Sequence, residues 1–324
     1  MSDLPFLDHP LRTHEEVIER AREIGQARGL ARVVVAAAEE EDVLAAMYAC
    51  KQEKIAEAVL VGNRKNIETA LETANVPGDA FELMATESDE ESASRAAELA
   101  AAGKVDIVMK GFLKTSVLLK TLLKHDSGLR DRELVSHSAV LYVPRYQGFL
   151  NVTDGGTLVR PLKAQKITVI ANAYPVMRSL GIARPRIAVL GPSTVISDRM
   201  PETRQAKEIV DLVRKDWSEY LDIEGPLTIE DVINRSQDHF PSQLNSSKPD
   251  VLLVHTIEEG NITAKTLIQF GGAVFMGVIA GAKVPISLVS RSDSMLNKLS
   301  SVALAVCLSD YQRRGFPPLP AIHL

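Results

Sequence analysis

The sequence predicts an α/β protein with a mostly parallel sheet, and three observations support it. Short apolar, β-branched runs alternate with helix-patterned segments along most of the 324 residues, as in strands joined by helical crossovers. With 45% hydrophobic residues the chain can bury a large core, enough for two domains or one large α/β unit. No stretch of about 18 uncharged apolar residues breaks the alternation, so no membrane span is expected.

The elements follow in order. Residues 14–28 (HEEVIERAREIGQAR) have helical spacing, ARVVVAAA from Ala31 is a buried strand, and EDVLAAMYACKQEK from Glu41 is a helix. AEAVLVG (Ala56 to Gly62) is a strand, NRKNIETALETAN a helix, FELMAT a strand and SDEESASRAAELAAAGK an alanine-rich helix with an acidic start. VDIVMKG (Val105 to Gly111) is a strand that runs into Thr115, Ser116 and the helix VLLKTLLK. From Leu134 the pattern changes: SHSAVLYVP and GFLNVTD are strands separated only by RYQ, which predicts an inserted antiparallel pair. Alternation resumes with helix ITVIANAYPVMRSLG, strand RIAVLG, helix PETRQAKEIVDLVRKD and the unassigned segment YLDIEGPLTIEDVIN. Strand DVLLVH, helix NITAKTLIQFG, strands AVFMGVIAG and PISLVS, a last helix from Met295 and an irregular tail, GFPPLPAIHL, complete the chain.

Composition excludes several classes. The formal net charge of −5, with both signs interspersed, gives no electrostatic footprint for nucleic acid. The N-terminal MSDLPFLDHPLRTHEE is too polar and acidic for a targeting peptide, so a cytoplasmic location is expected. Cys50 and Cys307 sit in apolar helical surroundings without metal-type spacing and read as buried free thiols. The sequence has no G-x-G-x-x-G and no Walker motif, since GVIAGAKV at Gly277 fails it in spacing and final residue. The histidines show no zinc spacing, so no metal is expected.

Ligands of open α/β sheets bind beyond the carboxyl ends of the strands. Five polar clusters fall there: MKGFLKTS (109–116), SH at 136–137, NVTDGG (151–156), EEGN (258–261) and SRSDS (290–294). They supply the binding candidates Lys110, Gly111, Thr115, His137, Asp154 and Asn261. In SRSDS a helix N-terminus, whose free N–H groups attract anions, is joined by Arg291 and the hydroxyls of Ser290, Ser292 and Ser294, a site of phosphate size. Simpler readings stand beside these. Ser292 or Asp293 is an ordinary N-cap, Lys110 a surface lysine, His137 a core histidine and Asp154 a turn residue before GG.

The order MKG, SHSAVLYVP, NVTDGG, EGNI and GVIAGAKVPISLVSRSDS resembles the phosphate acetyltransferase and phosphate butyryltransferase family over essentially the whole chain. The segment Gly277 to Ser294 is the most specific part and is closer to the butyryltransferase branch. The resemblance implies a two-domain, three-layer α/β/α fold of the isocitrate and isopropylmalate dehydrogenase type. It places residues 1–143 and 283–324 in one domain and 144–282 in an inserted second, with the active site in the cleft. It also implies a homodimer and reversible acyl transfer between coenzyme A and inorganic phosphate, both substrates, with no metal or redox cofactor.

On this resemblance Ser290 and Arg291 stabilise the transition state and hold phosphate. The aspartate proposed as base in the acetyltransferase branch is replaced by Asn297, and an amide cannot accept the thiol proton. Asp293, beside Arg291, is then the first candidate base, with His137 and Asp154 behind it. Two alternatives differ in kind. One is a binding homologue that lost turnover with Asn297; the other is a metal-dependent dehydrogenase of the same fold, disfavoured because Asp154 and Asp198 stand isolated.

Overall fold

The computed structural model describes residues 4–235 and 248–322, which form two compact units. The first comprises residues 4–6, His14–Glu133 and Met276–Arg314; the second comprises Leu7–Thr13, Leu134–Phe275 and residues 315–322.

The first unit begins with α1 (His14–Arg28), β1 (Ala31–Ala36), α2 (Glu41–Gln52), β2 (Ala56–Gly62), α3 (Arg64–Thr73), β3 (Glu82–Ala85), α4 (Asp89–Ala101), β4 (Ile107–Lys110) and α5 (Thr115–Leu122). The second unit carries β5 (Ser136–Val143), β6 (Gly148–Thr153), α6 (Lys163–Ser179), β7 (Arg186–Leu190), α7 (Pro201–Trp217), β8 (Asp222–Leu227), α8 (Ile229–Arg235), β9 (Val251–Leu253) and α9 (Ile257–Gln269). The chain then returns to the first unit through β10 (Val274–Ala280), β11 (Ile286–Ser287) and α10 (Met295–Arg313).

In the first unit the strands lie in the order β3-β2-β1-β4-β11-β10, all parallel except β10, which pairs antiparallel with β11. Val33, Val34 and Val35 of β1 are fully buried, as expected of a strand covered on both faces. Helices α1 and α2 pack against α10, and α4 packs against α5. The order reverses between β1 and β4: β2 and β3 lie to one side of β1, whereas β4 lies on the other. That reversal is where such a sheet opens a crevice at its carboxyl edge.

In the second unit the order is β5-β6-β9-β7-β8, with β5 antiparallel to β6 and the other neighbours parallel. A division at 143/144 would cut the β5–β6 ladder; the contacts divide the chain at 133/134 instead. The antiparallel ladder binds SHSAVLYV to GFLNVT too closely for them to part. Residues 7–13 and 315–322 also join this unit, through Leu11 N to Leu180 O (2.9 Å) and Trp217 Nε1 to Pro320 O (2.8 Å).

Several segments differ in detail from the sequence reading. YLDIEGPLTIEDVIN contains β8 and α8, separated at Thr228, which bonds the Asp231 carboxylate. Only Ile286 and Ser287 of PISLVS are strand, because the chain then turns toward α10. The tail has no helix or strand through residue 322, and its last two residues lie outside the described residues. Cys50 and Cys307 are buried free thiols on α2 and α10, each pushed up to about 12 by burial. Among the described residues no helix is long and apolar enough to cross a membrane.

Candidate active site

Three adjacent parallel strands of the first unit, β1, β4 and β11, bring their carboxyl ends to one edge. Ala36 pairs with Lys110, and Met109 with Ser287. β1 continues through residues 37–40 into α2, β4 through Gly111–Lys114 into α5, and β11 through residues 288–294 into α10. The first two connections are laced together: Gly111 N donates to Ala36 O (2.9 Å) and Phe112 N to Ala37 O (2.7 Å). A Cβ on Gly111 would overlap the Ala37 carbonyl oxygen, so no larger residue fits this approach.

The third connection carries Arg291. Its Nη2 donates to Phe112 O (2.7 Å), and its guanidinium lies 4.2 Å from the centroid of the Phe112 ring. Both residues are exposed, so the contact orients the cation without enclosing it. The serines and the acid divide the remaining work. Ser294 caps α10 by accepting from Asn297 N (3.2 Å), and Asp293 Oδ2 latches the turn by accepting from Ser290 N (2.5 Å). Ser290 and Ser292 bring their hydroxyls to 3.1 Å from each other. Asn297 is buried in the first turn of α10.

Two lysines and a glutamate complete this edge. Lys298 is fully buried, and its Nζ donates to Asp293 O (2.7 Å) and Arg291 O (3.4 Å), with Asp42 Oδ2 at 3.6 Å. The loop that carries Arg291 is thus held by an ammonium underneath it. Lys110 Nζ donates to Gly111 O (2.9 Å) and Leu113 O (3.3 Å). Burial lowers its pKa; Glu40 opposes that shift and Arg291 adds to it. Glu40, the residue before α2, is half-buried. Burial raises its carboxyl above the ordinary value although Lys298, Lys110 and Arg291 all pull it down. Thr115, half-buried, opens α5 at the same edge.

The second unit gathers the other candidates in a different manner. Asp154 is buried and accepts four hydrogen bonds, from His137 N (3.0 Å), Gly156 N (2.7 Å), Thr157 N (2.8 Å) and Thr157 Oγ1. His137 is buried on β5, its ring 6.2 Å from that of Phe275, and its carbonyl accepts from Thr153 Oγ1 (2.7 Å). The loop after β6 meets the start of α9 backbone to backbone: a Cβ on Gly155 would stand 2.6 Å from the Gly260 carbonyl carbon. EEGN therefore is not a strand-end loop. The Thr256 side chain caps α9 by accepting from Glu259 N (3.3 Å), so the helix starts at Ile257 and Asn261 is exposed within it.

Residues singled out in the sequence thus fall into two groups. Lys110, Gly111, Thr115, Ser290, Arg291, Ser292, Asp293, Ser294 and Asn297 belong to the first unit; His137, Asp154 and Asn261 belong to the second. Sequence reasoning missed Glu40, Phe112 and Lys298. It also missed a buried pair in the second unit, in which Lys166 Nζ lies 2.7 Å from His255 Nδ1 while His255 Nε2 donates to Leu190 O (2.6 Å). Burial pushes Lys166 down to about 8, and burial and Lys166 together lower His255. Among the described residues no group of three or more His, Cys, Asp or Glu is placed to hold a metal ion.

Chemically, the first-unit edge offers a positive, partly desolvated surface next to a helix N-terminus, suited to a phosphate-sized anion and to charge developing on oxygen. Comparison with known proteins points the same way. The family model described as "Phosphate acetyl/butaryl transferase" matches residues 12–99 and 84–306. The "Probable phosphate butyryltransferase" of Bacillus subtilis is 33% identical over 281 residues, covering 86% of this chain and 93% of that protein. The phosphate acetyltransferase of Thermotoga maritima is 30% identical over 294 residues, covering 90% and 98%. The crystal structure of a branched-chain phosphotransacylase from Enterococcus faecalis superposes with a TM-score of 0.76 at 26% identity, covering 86% of this chain and 99% of that one.

Proposed function

The chain belongs to the phosphate acetyl/butyryl transferase family, and from that premise we propose how its residues carry the reaction. The enzyme transfers an acyl group reversibly between coenzyme A and inorganic phosphate. The observation that carries our assignment of the site is Arg291, fixed on Phe112 beside Lys110 where β1, β4 and β11 end.

Arg291 and Lys110 hold the phosphate, or the phosphoryl end of an acyl phosphate, and Arg291 presents its remaining N–H groups in a fork matched to two phosphate oxygens. The sulfur of coenzyme A attacks the acyl carbon, the carbonyl pair moves to oxygen, and the tetrahedral oxyanion meets the Ser290 hydroxyl and the N-terminal N–H groups of α10. Collapse of that intermediate expels phosphate against Arg291. No enzyme nucleophile and no metal or redox cofactor enters these steps. Ser292 and Ser294 shape the loop, and Lys298 holds it from below.

The acyl group is short, with butyryl first and acetyl second, in keeping with the butyryltransferase among the relatives. A cytoplasmic homodimer accompanies this reading, and light scattering of the purified protein checks the dimer. A binding protein without turnover is the second reading, favoured only by Asn297 at the position of the family's proposed base. One assay separates them: thiol release from acetyl-, propionyl-, butyryl- and isobutyryl-coenzyme A with and without phosphate. Phosphate-dependent release, fastest with a four-carbon chain, is the expected result. Coenzyme A binding without release from any thioester would establish the binding protein.

A further inference from the structure

The reaction requires a base for the coenzyme A thiol, and Asn297 cannot be one. The carboxylates near strand ends differ sharply in how their oxygens are used. Asp154 accepts four hydrogen bonds, and Asp293 commits Oδ2 to Ser290 N. Glu40 makes no side-chain bond to the start of α2, and the cations around it act through space. Each of those cations is tethered elsewhere, to a backbone carbonyl: Lys110 to Gly111 O, Arg291 to Phe112 O and Lys298 to Asp293 O.

Resting on the acyl-transfer reading, we infer that Glu40 is the proton acceptor for the coenzyme A thiol. It sits where β1 leaves the sheet at the β1/β4 reversal, and the backbone lacing of Ala36 and Ala37 to Gly111 and Phe112 ties that corner to the carbonyl that holds Arg291. A carboxylate beside an anion site weakens anion binding unless a proton lies between the groups, so its presence there suits proton transfer better than phosphate recognition. Burial places the Glu40 carboxyl above its usual value, which brings a carboxylate closer to the thiol it must deprotonate. The charged groups acting on Glu40 are Lys298 from α10, Lys110 from β4, Arg291 from the loop before α10 and Asp42 from α2.

In the direction of thioester synthesis the S–H proton passes to a Glu40 oxygen. The sulfur pair forms the C–S bond, and the C–O bond to phosphate breaks with its pair leaving on phosphate. In the reverse direction phosphate oxygen forms the C–O bond, the C–S bond breaks, and protonated Glu40 returns the proton to the departing sulfur.

The test measures kcat and KM for butyryl phosphate plus coenzyme A from pH 6 to 9.5 on wild type, Glu40→Gln, Glu40→Asp and the exposed neighbour control Glu41→Gln, with circular dichroism to verify folding. Glu40→Gln is expected to lose ~10²-fold in kcat at pH 7. Its kcat should climb with pH toward the thiol's own ionisation near about 8.5, with KM for butyryl phosphate unchanged or lower. Glu40→Asp is expected to be slower than wild type with the wild-type pH profile, and Glu41→Gln to match wild type. A Glu40→Gln enzyme with wild-type kcat and profile, or with a loss equal at every pH, overturns the inference. An inactive wild type with every acyl donor overturns the transferase reading itself, and this inference with it.

Discussion

Asp154 in the second unit and Glu40 in the first are both carboxylates just beyond a strand end, yet they occupy opposite states. Asp154 is buried with four donors on its two oxygens, while Glu40 faces three cations that are each tethered to carbonyls. The Gly155–Gly260 approach fixes the backbone at this corner, and the Asp154 carboxylate is already engaged by four donors. The edge formed by β1, β4 and β11 keeps hydroxyls, guanidinium N–H groups and a carboxylate available, which supports the site we propose there. Motif position alone does not separate the two; the count of satisfied hydrogen bonds does.

The sharpest way to break this contrast is Arg291→Ala. Arg291 is exposed and touches Phe112 alone among its described side-chain partners, so kcat/KM is expected to fall by ~10²–10³ with the melting temperature unchanged. Asp154→Ala should do the reverse. It leaves the N–H groups of His137, Gly156 and Thr157 without their acceptor and is expected to cost about 2–3 kcal/mol of stability, read by denaturant unfolding.

The Lys166–His255 pair predicts a pH signature for the second unit. Between about 8, where folded Lys166 titrates, and 10.5, where the unfolded lysine does, the unfolded chain keeps a proton that the folded chain has lost. Stability from this group therefore rises with pH through that window, by at most about 1.4 kcal/mol per unit, and the cost of charging it is fully present below the window. Lys166→Met should remove that rise in melting curves taken from pH 7.5 to 10. The smallest effect concerns thiols: Cys50 and Cys307, buried on α2 and α10, should resist a thiol reagent in the native protein and react once it is unfolded.

Much of this was legible in the sequence. β-branched runs bounded by glycine located β1, β2 and β4, and SRSDS falls, as read, at the joint between a strand, β11, and a helix, α10. Other parts were hidden for physical reasons. Glu40 lies in an EEED run that reads as an acidic first turn, which its neighbours Glu41 and Asp42 indeed supply. Lys298 follows a polar residue on an amphipathic helix and reads as solvated, whereas tertiary contacts bury it completely. Asn261 looked like a strand-end ligand because its helix starts early, capped by Thr256 only three residues after β9 ends. Tertiary packing decides the burial of Lys298, whereas the Thr256–Glu259 cap that puts Asn261 inside α9 is a local signal that the sequence does carry.

We place acyl transfer at the edge formed by β1, β4 and β11. Phosphate-dependent release of coenzyme A from butyryl-coenzyme A, measured side by side on wild type, Arg291→Ala and Arg291→Lys, tests it most directly. Wild type is expected to release coenzyme A robustly, Arg291→Ala to lose at least about 10²-fold, and Arg291→Lys to recover only in part, because lysine keeps the charge and loses the fork. Release by Arg291→Ala at the wild-type rate would contradict that placement.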